Sequence, residues 1–140
     1  MANSVTLDGG CLCGELRYRI SVEPTDAGYC HCRLCQHSSA APALAWCSVP
    51  VKGFSYKKGN PTLYASSPHA DREFCNLCGT QVAFRKHGAE QVDVNFVTLD
   101  DPEAIKPQYH IWTSSRISWF DTADDLTRYE DDGPETASST

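Results

Sequence analysis

The sequence lacks a long apolar run and an excess of positive charge, and each absence excludes a class of protein. No apolar stretch approaches the roughly 18 residues of a membrane-spanning helix, so we expect no membrane partner. Twelve lysines and arginines stand against 18 aspartates and glutamates, which gives a formal net charge of −6. Nucleic-acid binding needs a basic face, so we also expect no nucleic-acid partner.

The first ten residues lack the features of a secretory signal, because they contain neither a basic segment nor an apolar core. We therefore expect a cytoplasmic, reducing location, where clustered cysteines indicate metal or catalytic sites. The length of 140 residues and a hydrophobic fraction of 41% predict one domain with a modest core, which we assign to residues 1–129. Residues 130–140 are acidic, small and polar, and we expect a disordered tail there.

Short alternating runs separated by turn residues predict a mainly β fold. The clearest early run alternates Leu16, Tyr18 and Ile20 with polar residues until Pro24 ends it. The run 91–99 alternates in the same way and predicts the best late strand.

Between these runs the signals are weaker. The stretch through Asp26 and Gly28 is expected to be a loop, and residues 109–112 are expected to form the last strand. One or two very short helices are predicted, one after Gln36 and one at Asp101-Pro102, where Asp101 suits the helix N-cap.

Three cysteines within six residues form the most informative motif, because Cys30, Cys32 and Cys35 can direct three thiols at one point. Zinc prefers four tetrahedral ligands, so three thiolates from one segment leave a fourth position open. An open position is typical of a catalytic zinc. The motif therefore predicts a catalytic metal site held by these three residues.

Four further cysteines, Cys11, Cys13, Cys75 and Cys78, predict a closed structural zinc site. A structural zinc brings roughly 10–16 kcal/mol of apparent binding energy, against roughly 4 kcal/mol for a disulfide that closes a loop of this length. Four disulfides and a redox CxxC pair are the alternatives. Cys47 lies outside both sets, beside Trp46, and is predicted to be a core residue.

The motifs that carry a family resemblance are GGCLCGELRY, CHCRLCQHSS, FCNLCGT, LDDPEAIKPQYHIW and ISWFD. In these motifs the sequence resembles the glutathione-dependent formaldehyde-activating enzyme family, which also includes centromere protein V. The resemblance covers about residues 9–121. It implies several short coiled antiparallel β-sheets around the four-cysteine structural zinc site, with the three-cysteine set as the catalytic zinc. Ala40 departs from the pattern, since many relatives carry glycine there.

The resemblance implies a carbon–sulfur lyase of the S-(hydroxymethyl)glutathione synthase type, with two Zn²⁺ ions and glutathione as co-substrate. We hypothesise that the glutathione sulfur takes the open zinc position and attacks the aldehyde carbon. His110 matches the HxW signature of the family and is a candidate catalytic proton carrier, with His37 as a weaker one. The Ser38-Ser39 pair can cap a short helix or line the pocket, and capping is the preferred interpretation.

Two alternatives stay open at this point. The same chemistry can act on another glutathione-conjugated aldehyde or pathway intermediate, or the protein can be a non-catalytic, zinc-stabilised binding module. The acidic balance argues against a chromatin-binding role. No glutathione-binding residue is assigned, since Arg33, Arg85 and Arg116 carry no sequence signal that places them at the site.

Overall fold

The computed structural model describes residues 4–134, which form two β-sheets and one short α-helix. The strands in chain order are β1 (Ser4–Gly10), β2 (Arg17–Val22), β3 (Asp26–Cys30), β4 (Leu44–Pro50), β5 (Phe54–Lys58), β6 (Thr62–Ser67), β7 (Ala70–Phe74), β8 (Gln81–Lys86), β9 (Gln91–Val94), β10 (Tyr109–Ile111) and β11 (Thr127–Arg128).

The smaller sheet has three antiparallel strands in the order β1-β2-β5. In β2 the side chains of Tyr18 and Ile20 are buried, while those of Arg19 and Ser21 are exposed. This alternation confirms the strand predicted from the early run, because a pleated strand turns successive side chains to opposite faces.

The larger sheet has eight strands in the order β11-β10-β3-β4-β9-β8-β7-β6. Most neighbours are antiparallel, but β10 runs parallel to both β3 and β11. The mainly β fold class predicted from the sequence is confirmed.

The helix α1 (Arg33–Ser39) follows β3 directly, and four single turns of 3₁₀ helix occur elsewhere in the described chain. One of these turns is Pro102–Ala104, where the Asp101 side chain accepts a hydrogen bond from the Glu103 N–H. The predicted N-cap at Asp101 is therefore confirmed.

Two predicted elements differ from the structure. The expected loop through Asp26 is strand β3, which pairs with β4 on one side and β10 on the other. Gly28 permits that close packing, because a Cβ at this position would lie 2.7 Å from the Tyr109 carbonyl oxygen. The run ending in YHIW is not the last strand, since β11 follows it.

The late strand is shorter than its alternation suggests. β9 ends at Val94, and the chain continues into a 3₁₀ turn at Phe96–Thr98. Asp93 and Asn95, the polar residues of this alternating run, are buried. They stay hydrogen-bonded, since the Asp93 carboxylate accepts from Ser48 Oγ at 2.5 Å and the Asn95 side chain donates to the Gln81 carbonyl at 3.0 Å.

Two clusters of buried side chains form the core. The larger one fills the space between the sheets and includes Cys47, which is fully buried as predicted. The smaller one contains Trp46 and Ile111 together with Cys30 and Cys35. The second cluster therefore packs against the three-cysteine motif.

The first residues of the predicted acidic tail are hydrogen-bonded to the folded chain. The Trp112 N–H donates to the Asp131 carbonyl at 2.8 Å, and Ser114 Oγ donates to the Glu130 carbonyl at 2.8 Å. Residues 135–140 of that tail lie outside the described residues. Within residues 4–134, no helix has the length and apolar character needed to cross a bilayer.

Candidate metal centres

The first four-cysteine set comes together at the ends of two hairpins. Cys11 and Cys13 lie in the connection between β1 and β2, and Cys75 and Cys78 lie between β7 and β8. The four sulfur atoms lie within 4.8 Å of one another. The first hairpin belongs to the smaller sheet and the second to the larger sheet, so this cluster joins the two sheets.

The spacing of these sulfurs fits a zinc ion better than a covalent bridge. The Sγ–Sγ distances are 3.6 Å for Cys11–Cys13 and 3.8 Å for Cys13–Cys75. Zinc–sulfur bonds of about 2.3 Å in a regular tetrahedron place sulfurs about 3.8 Å apart, whereas a disulfide needs about 2.05 Å. None of the eight cysteines forms a disulfide in the structure, which contradicts the disulfide alternative.

Backbone and hydroxyl donors surround the sulfurs of this cluster. The Leu16 N–H donates to Cys11 Sγ at 3.2 Å, and the Thr80 hydroxyl lies 3.4 Å from Cys78 Sγ. Hydrogen bonds from the Thr80 hydroxyl and then its N–H lower the pKa of the Cys78 thiol to about 5. Gly79 has a positive φ of 84°, which lets the chain turn directly after Cys78.

The second set, Cys30, Cys32 and Cys35, forms where β3 passes into α1. The three sulfurs lie within 4.8 Å of one another, and the described residues bring no fourth histidine, cysteine or carboxylate ligand atom into the group. Cys32 is also the N-cap of α1, because its Sγ accepts the Cys35 N–H at 3.3 Å. The sequence thus uses one residue to begin the helix and to complete the thiol cluster.

The electrostatics of this trio favour a cation. Cys30 and Cys35 are almost fully buried. The neighbouring thiols of Cys32 and Cys35, followed by burial, raise the pKa of the Cys30 thiol. At Cys35 the hydrogen bond with Cys30 lowers the pKa, but the Cys32 thiol and burial outweigh it, and the pKa rises to about 12. A bound metal ion reverses this balance, because it deprotonates coordinating thiols.

His110 lies on the other face of the sheet from the trio. Its neighbours in β10, Tyr109 and Ile111, pack in the cluster that contains Cys30. Because side chains alternate along a strand, the His110 ring points the opposite way and stacks on Tyr29 at a ring-centroid distance of 4.7 Å. The structure does not bring His110 to the three thiols, and its catalytic role stays a prediction.

His110 instead joins a buried chain of polar groups. Its Nε2 lies 3.1 Å from Asp124 Oδ1, and its Nδ1 lies 2.9 Å from His31 Nε2. Hydrogen bonds from Thr122 and from His110 lower the pKa of Asp124 to about 2, so this carboxylate is ionised and accepts. Burial, followed by the nearby His110 ring, lowers the pKa of His31 to about 4.

Gln36 holds the turn that carries the three thiols. Its buried side-chain amide donates to the His31 carbonyl at 2.7 Å and to the Ser115 carbonyl at 3.1 Å. The predicted capping role of the serine pair is wrong, because α1 begins at Arg33. Ser38 and Ser39 lie near its C-terminal end, where both hydroxyls donate to the Cys35 carbonyl.

Trp112, the last residue of the HxW signature, packs against the same cluster as the trio. Its φ of 56° is positive, which is rare for a bulky side chain. The indole Nε1 is buried and has no hydrogen-bond partner. The backbone conformation is held by the N–H donated to the Asp131 carbonyl at 2.8 Å.

A cavity lies between α1, the helix that contains Cys35, and the β6–β7–β8 part of the larger sheet. Its volume is about 440 Å³, within the range of about 300–1,000 Å³ that is usual for small-molecule sites. His37, the weaker proton-carrier candidate, is exposed and lines it. The residues that form its walls include Leu34, His37, Ser38, Tyr64, Arg72 and Gln81.

The sequence matches the model of a known protein family. The model of the family described as glutathione-dependent formaldehyde-activating enzyme matches residues 6–115, a span that contains both cysteine sets. The chain belongs to the glutathione-dependent formaldehyde-activating enzyme family. Family membership agrees with the resemblance drawn from the sequence motifs.

One curated relative is an uncharacterized lyase from Schizosaccharomyces pombe, 33% identical over 84 residues. The match covers 55% of this chain and 56% of the relative, so the chain spans little more than half the length of that protein. A lyase-type family assignment is thus supported by both the family model and this relative.

A solved structure of a Rhodobacter sphaeroides protein has the same fold. The TM-score is 0.54 at 23% sequence identity, and the alignment covers 71% of this chain and 91% of that one. At this identity the likeness concerns the fold alone. It places the mainly β arrangement among experimentally known structures.

Sequence reasoning missed two polar residues near these sites, Asp124 and Arg72. Asp124 stands in a polar segment with no motif that signals contact with His110. Arg72 lies in ADREF, where Ala70 and Phe74 are its neighbours at i±2. Those neighbours are the one local signal that Arg72 shares a face with apolar residues.

Proposed function

We propose that this protein is a zinc-dependent carbon–sulfur lyase of the S-(hydroxymethyl)glutathione synthase type, which joins glutathione to formaldehyde. The observation that supports this function is the thiol cluster of Cys30, Cys32 and Cys35, which the described residues leave without a fourth ligand atom. The four-thiol cluster, in contrast, supplies all four ligands that a tetrahedral zinc ion needs. A three-ligand set leaves one position for a substrate.

Cys30, Cys32 and Cys35 would hold the catalytic zinc, and Cys11, Cys13, Cys75 and Cys78 the structural one. Zinc bound by three thiolates supplies a soft, open position at which an incoming thiol loses its proton near neutral pH. In the direction of synthesis the sulfur–carbon bond forms, the carbonyl π bond opens and the thiol proton ends on the new hydroxyl oxygen. The atoms balance without any oxidant or reductant.

The chain's own residues orient and enclose this reaction. Gln36 fixes the turn through two backbone carbonyls, so the thiols keep their mutual positions. The cavity between α1 and the larger sheet provides a place for the body of the tripeptide. The absence of disulfides in both clusters also suits a reducing, cytoplasmic location, which we propose on that ground.

The proton needs a carrier, and two histidines differ in access to the cavity. His37 lines the cavity and is exposed, with its Nε2 3.1 Å from Arg33 Nη2. His110 lies across the sheet and reaches only His31 and the residues around Asp124. We therefore propose His37 or bulk water as the carrier at the cavity, and an indirect role for His110.

The substitution Cys32→Ser tests this function with little disturbance of the fold. Serine is among the best N-cap residues, so the substituted chain keeps the cap of α1 while it loses a thiolate. We expect zinc content to fall from about two to about one ion per chain. The rate of exchange between glutathione and S-(hydroxymethyl)glutathione, followed by NMR, should fall to the uncatalysed rate.

Cys47→Ala is the matched control, because it removes a buried thiol that belongs to neither cluster. This variant should keep both metal ions and the wild-type exchange rate. Full activity of Cys32→Ser with one zinc lost would contradict the assignment of the catalytic site. Wild-type protein that accelerates no glutathione–aldehyde reaction while carrying both ions would favour a binding module.

A further inference from the structure

Arg72 is a buried cation with no ion-pair partner among residues 4–134. Only 4% of the residue is exposed, and its Nη2 atom is buried with no hydrogen-bond partner. Its guanidinium stacks on the Phe84 ring at 4.9 Å, and no carboxylate of the described residues forms an ion pair with it. A buried charge is costly unless a counter-charge and hydrogen bonds compensate for it.

Arg85 lies thirteen residues further on, in the neighbouring strand β8. It offers a comparison, because its charge is paired with a carboxylate. Its guanidinium also stacks on a phenylalanine, Phe54, at 5.4 Å. In addition, its Nε donates to Glu73 Oε2 at 2.5 Å, so its charge is paired. The two arginines have the same aromatic contact, and only Arg72 lacks the anion.

The register of the sheet places Arg72 in the wall of the cavity below α1. Arg72 pairs with Tyr64 in β6 and with Phe84 in β8, so these three side chains share one face. Tyr64 and Arg72 both line the cavity of about 440 Å³, and α1 closes it from the other side with Leu34 and Ser38. The unpaired guanidinium is therefore available to a molecule in the cavity.

Helix α1 connects this cavity to the trio, because Leu34 in the cavity wall directly precedes Cys35 in the chain. A ligand that placed a sulfur at the trio and an anionic group in the cavity would meet Arg72. Carboxylates suit this contact, because guanidinium binds them with two parallel hydrogen bonds.

We propose that Arg72 is the carboxylate-binding residue of the substrate site, and that this site accepts thiols carrying a carboxylate over neutral thiols. The inference rests on the proposed function, and it adds a substrate class to it. Glutathione offers two such groups, one on its γ-glutamyl end and one on its glycyl end. Either can supply the anion, and the experiment distinguishes them.

S-methylglutathione is the probe, because it keeps both carboxylates and has no ionisable thiol. Its binding to the zinc-loaded wild-type protein is measured by calorimetry and compared with binding to Arg72→Gln and Arg85→Gln. Arg72→Gln should weaken binding about 10- to 100-fold, the usual effect of losing a charge-assisted pair. Arg85→Gln, which also removes an arginine from a phenylalanine ring, should bind as the wild type does.

A second measurement stays on the wild-type protein, so it needs no variant to fold. S-methylglutathione with both carboxylates converted to amides should bind about 10- to 100-fold more weakly than the parent compound. S-methyl derivatives of γ-glutamylcysteine and cysteinylglycine then show which end meets Arg72. The derivative that keeps the recognised carboxylate should lose affinity on Arg72→Gln, and the other should not.

Equal affinity of folded Arg72→Gln and wild type, equal affinity for the diamide, or no binding of S-methylglutathione at all would each overturn the inference. Arg72-dependent binding in a protein that forms no S-(hydroxymethyl)glutathione would support it while refuting the proposed function. If the protein catalyses the glutathione reaction and Arg72→Gln does not change binding, the proposed function is supported and the role of Arg72 is refuted.

Discussion

The Nε2 atom of His31, the residue directly after β3, lies 2.9 Å from the Nδ1 atom of His110 in β10. His31 stands between Cys30 and Cys32 in the chain, so its ring anchors the backbone from which those sulfurs project. His110 in turn contacts Asp124 at 3.1 Å. The histidine of the HxW signature thus contacts, through His31, the turn that carries the three thiols.

His110→Gln should therefore reduce stability more than it reduces the chemical rate. It breaks buried hydrogen bonds to His31 and Asp124, and we expect the free energy of unfolding to fall by about 1–3 kcal/mol. Urea unfolding measures the first effect and glutathione exchange by NMR the second. A rate lost with stability intact would instead place His110 at the reacting atoms.

His87→Gln is the matched control for that variant. His87 also contacts an aspartate through Nε2, at 3.2 Å from Asp71 Oδ1, but its side chain is 53% exposed. Exposed pairs contribute little, so the change in stability should stay below about 0.5 kcal/mol.

Cys75→Ser should unfold most of the protein. The four-thiol cluster joins the two sheets, and a structural zinc contributes roughly 10–16 kcal/mol, as much as the roughly 5–15 kcal/mol by which most domains are stable. Circular dichroism and metal analysis should show loss of structure together with loss of zinc. Cys47→Ala, which removes a thiol outside the clusters, should cost only about 1 kcal/mol and keep the metal. A folded, cooperative Cys75→Ser protein would refute the structural role of this site.

Two substitutions at left-handed residues should shift stability in opposite directions. Ala40 ends α1 with a φ of 53°, and Gly79 follows Cys78 with a φ of 84°. Ala40→Gly should raise the melting temperature through a gain of about 0.5–1 kcal/mol, because glycine adopts this conformation without steric strain. Gly79→Ala should cost about 1–2 kcal/mol from backbone strain alone, since no atom lies within 4 Å of the new methyl group. Shifts of the same sign in thermal unfolding would contradict this explanation.

Glu73→Gln should destabilise the protein far more than Asp100→Asn. The buried Glu73 carboxylate accepts from Tyr56 Oη at 2.7 Å and from Arg85 Nε at 2.5 Å, so its loss leaves a guanidinium without its anion. We expect a cost of about 3–5 kcal/mol, as for other broken buried pairs.

Asp100 pairs with Arg17 on the surface, where its side chain is 59% exposed, and its removal should cost about 0.2–1 kcal/mol. Denaturant unfolding of both variants measures the difference. Equal costs would show that burial does not govern these pairs.

The sequence predicted the elements whose signal is local. The alternation around Tyr18, the turn at Asp101-Pro102 and the grouping of seven cysteines into two sets depend on short-range spacing. The sequence also showed that Ala40 replaces the glycine that many relatives carry, although it did not predict the left-handed backbone of this residue.

The structure differs from the sequence predictions where long-range pairing decides. Strand β3 has little intrinsic preference for a strand, and it forms because β4 and β10 pair with both of its edges. Arg72 is buried in β7, which pairs with β6 on one side and β8 on the other. The orientation of His110 depends on the parallel pairing of β10 with β3, which no local pattern indicates.

The link between Cys13 and Cys75 spans 62 positions, and this has a consequence for biosynthesis. A ribosome releases the first pair of thiols long before the second pair exists. The amino-terminal hairpin must therefore wait, unclamped, until more than half of the nascent polypeptide has emerged. The four-thiol cluster can therefore form only in chains that extend past Cys78.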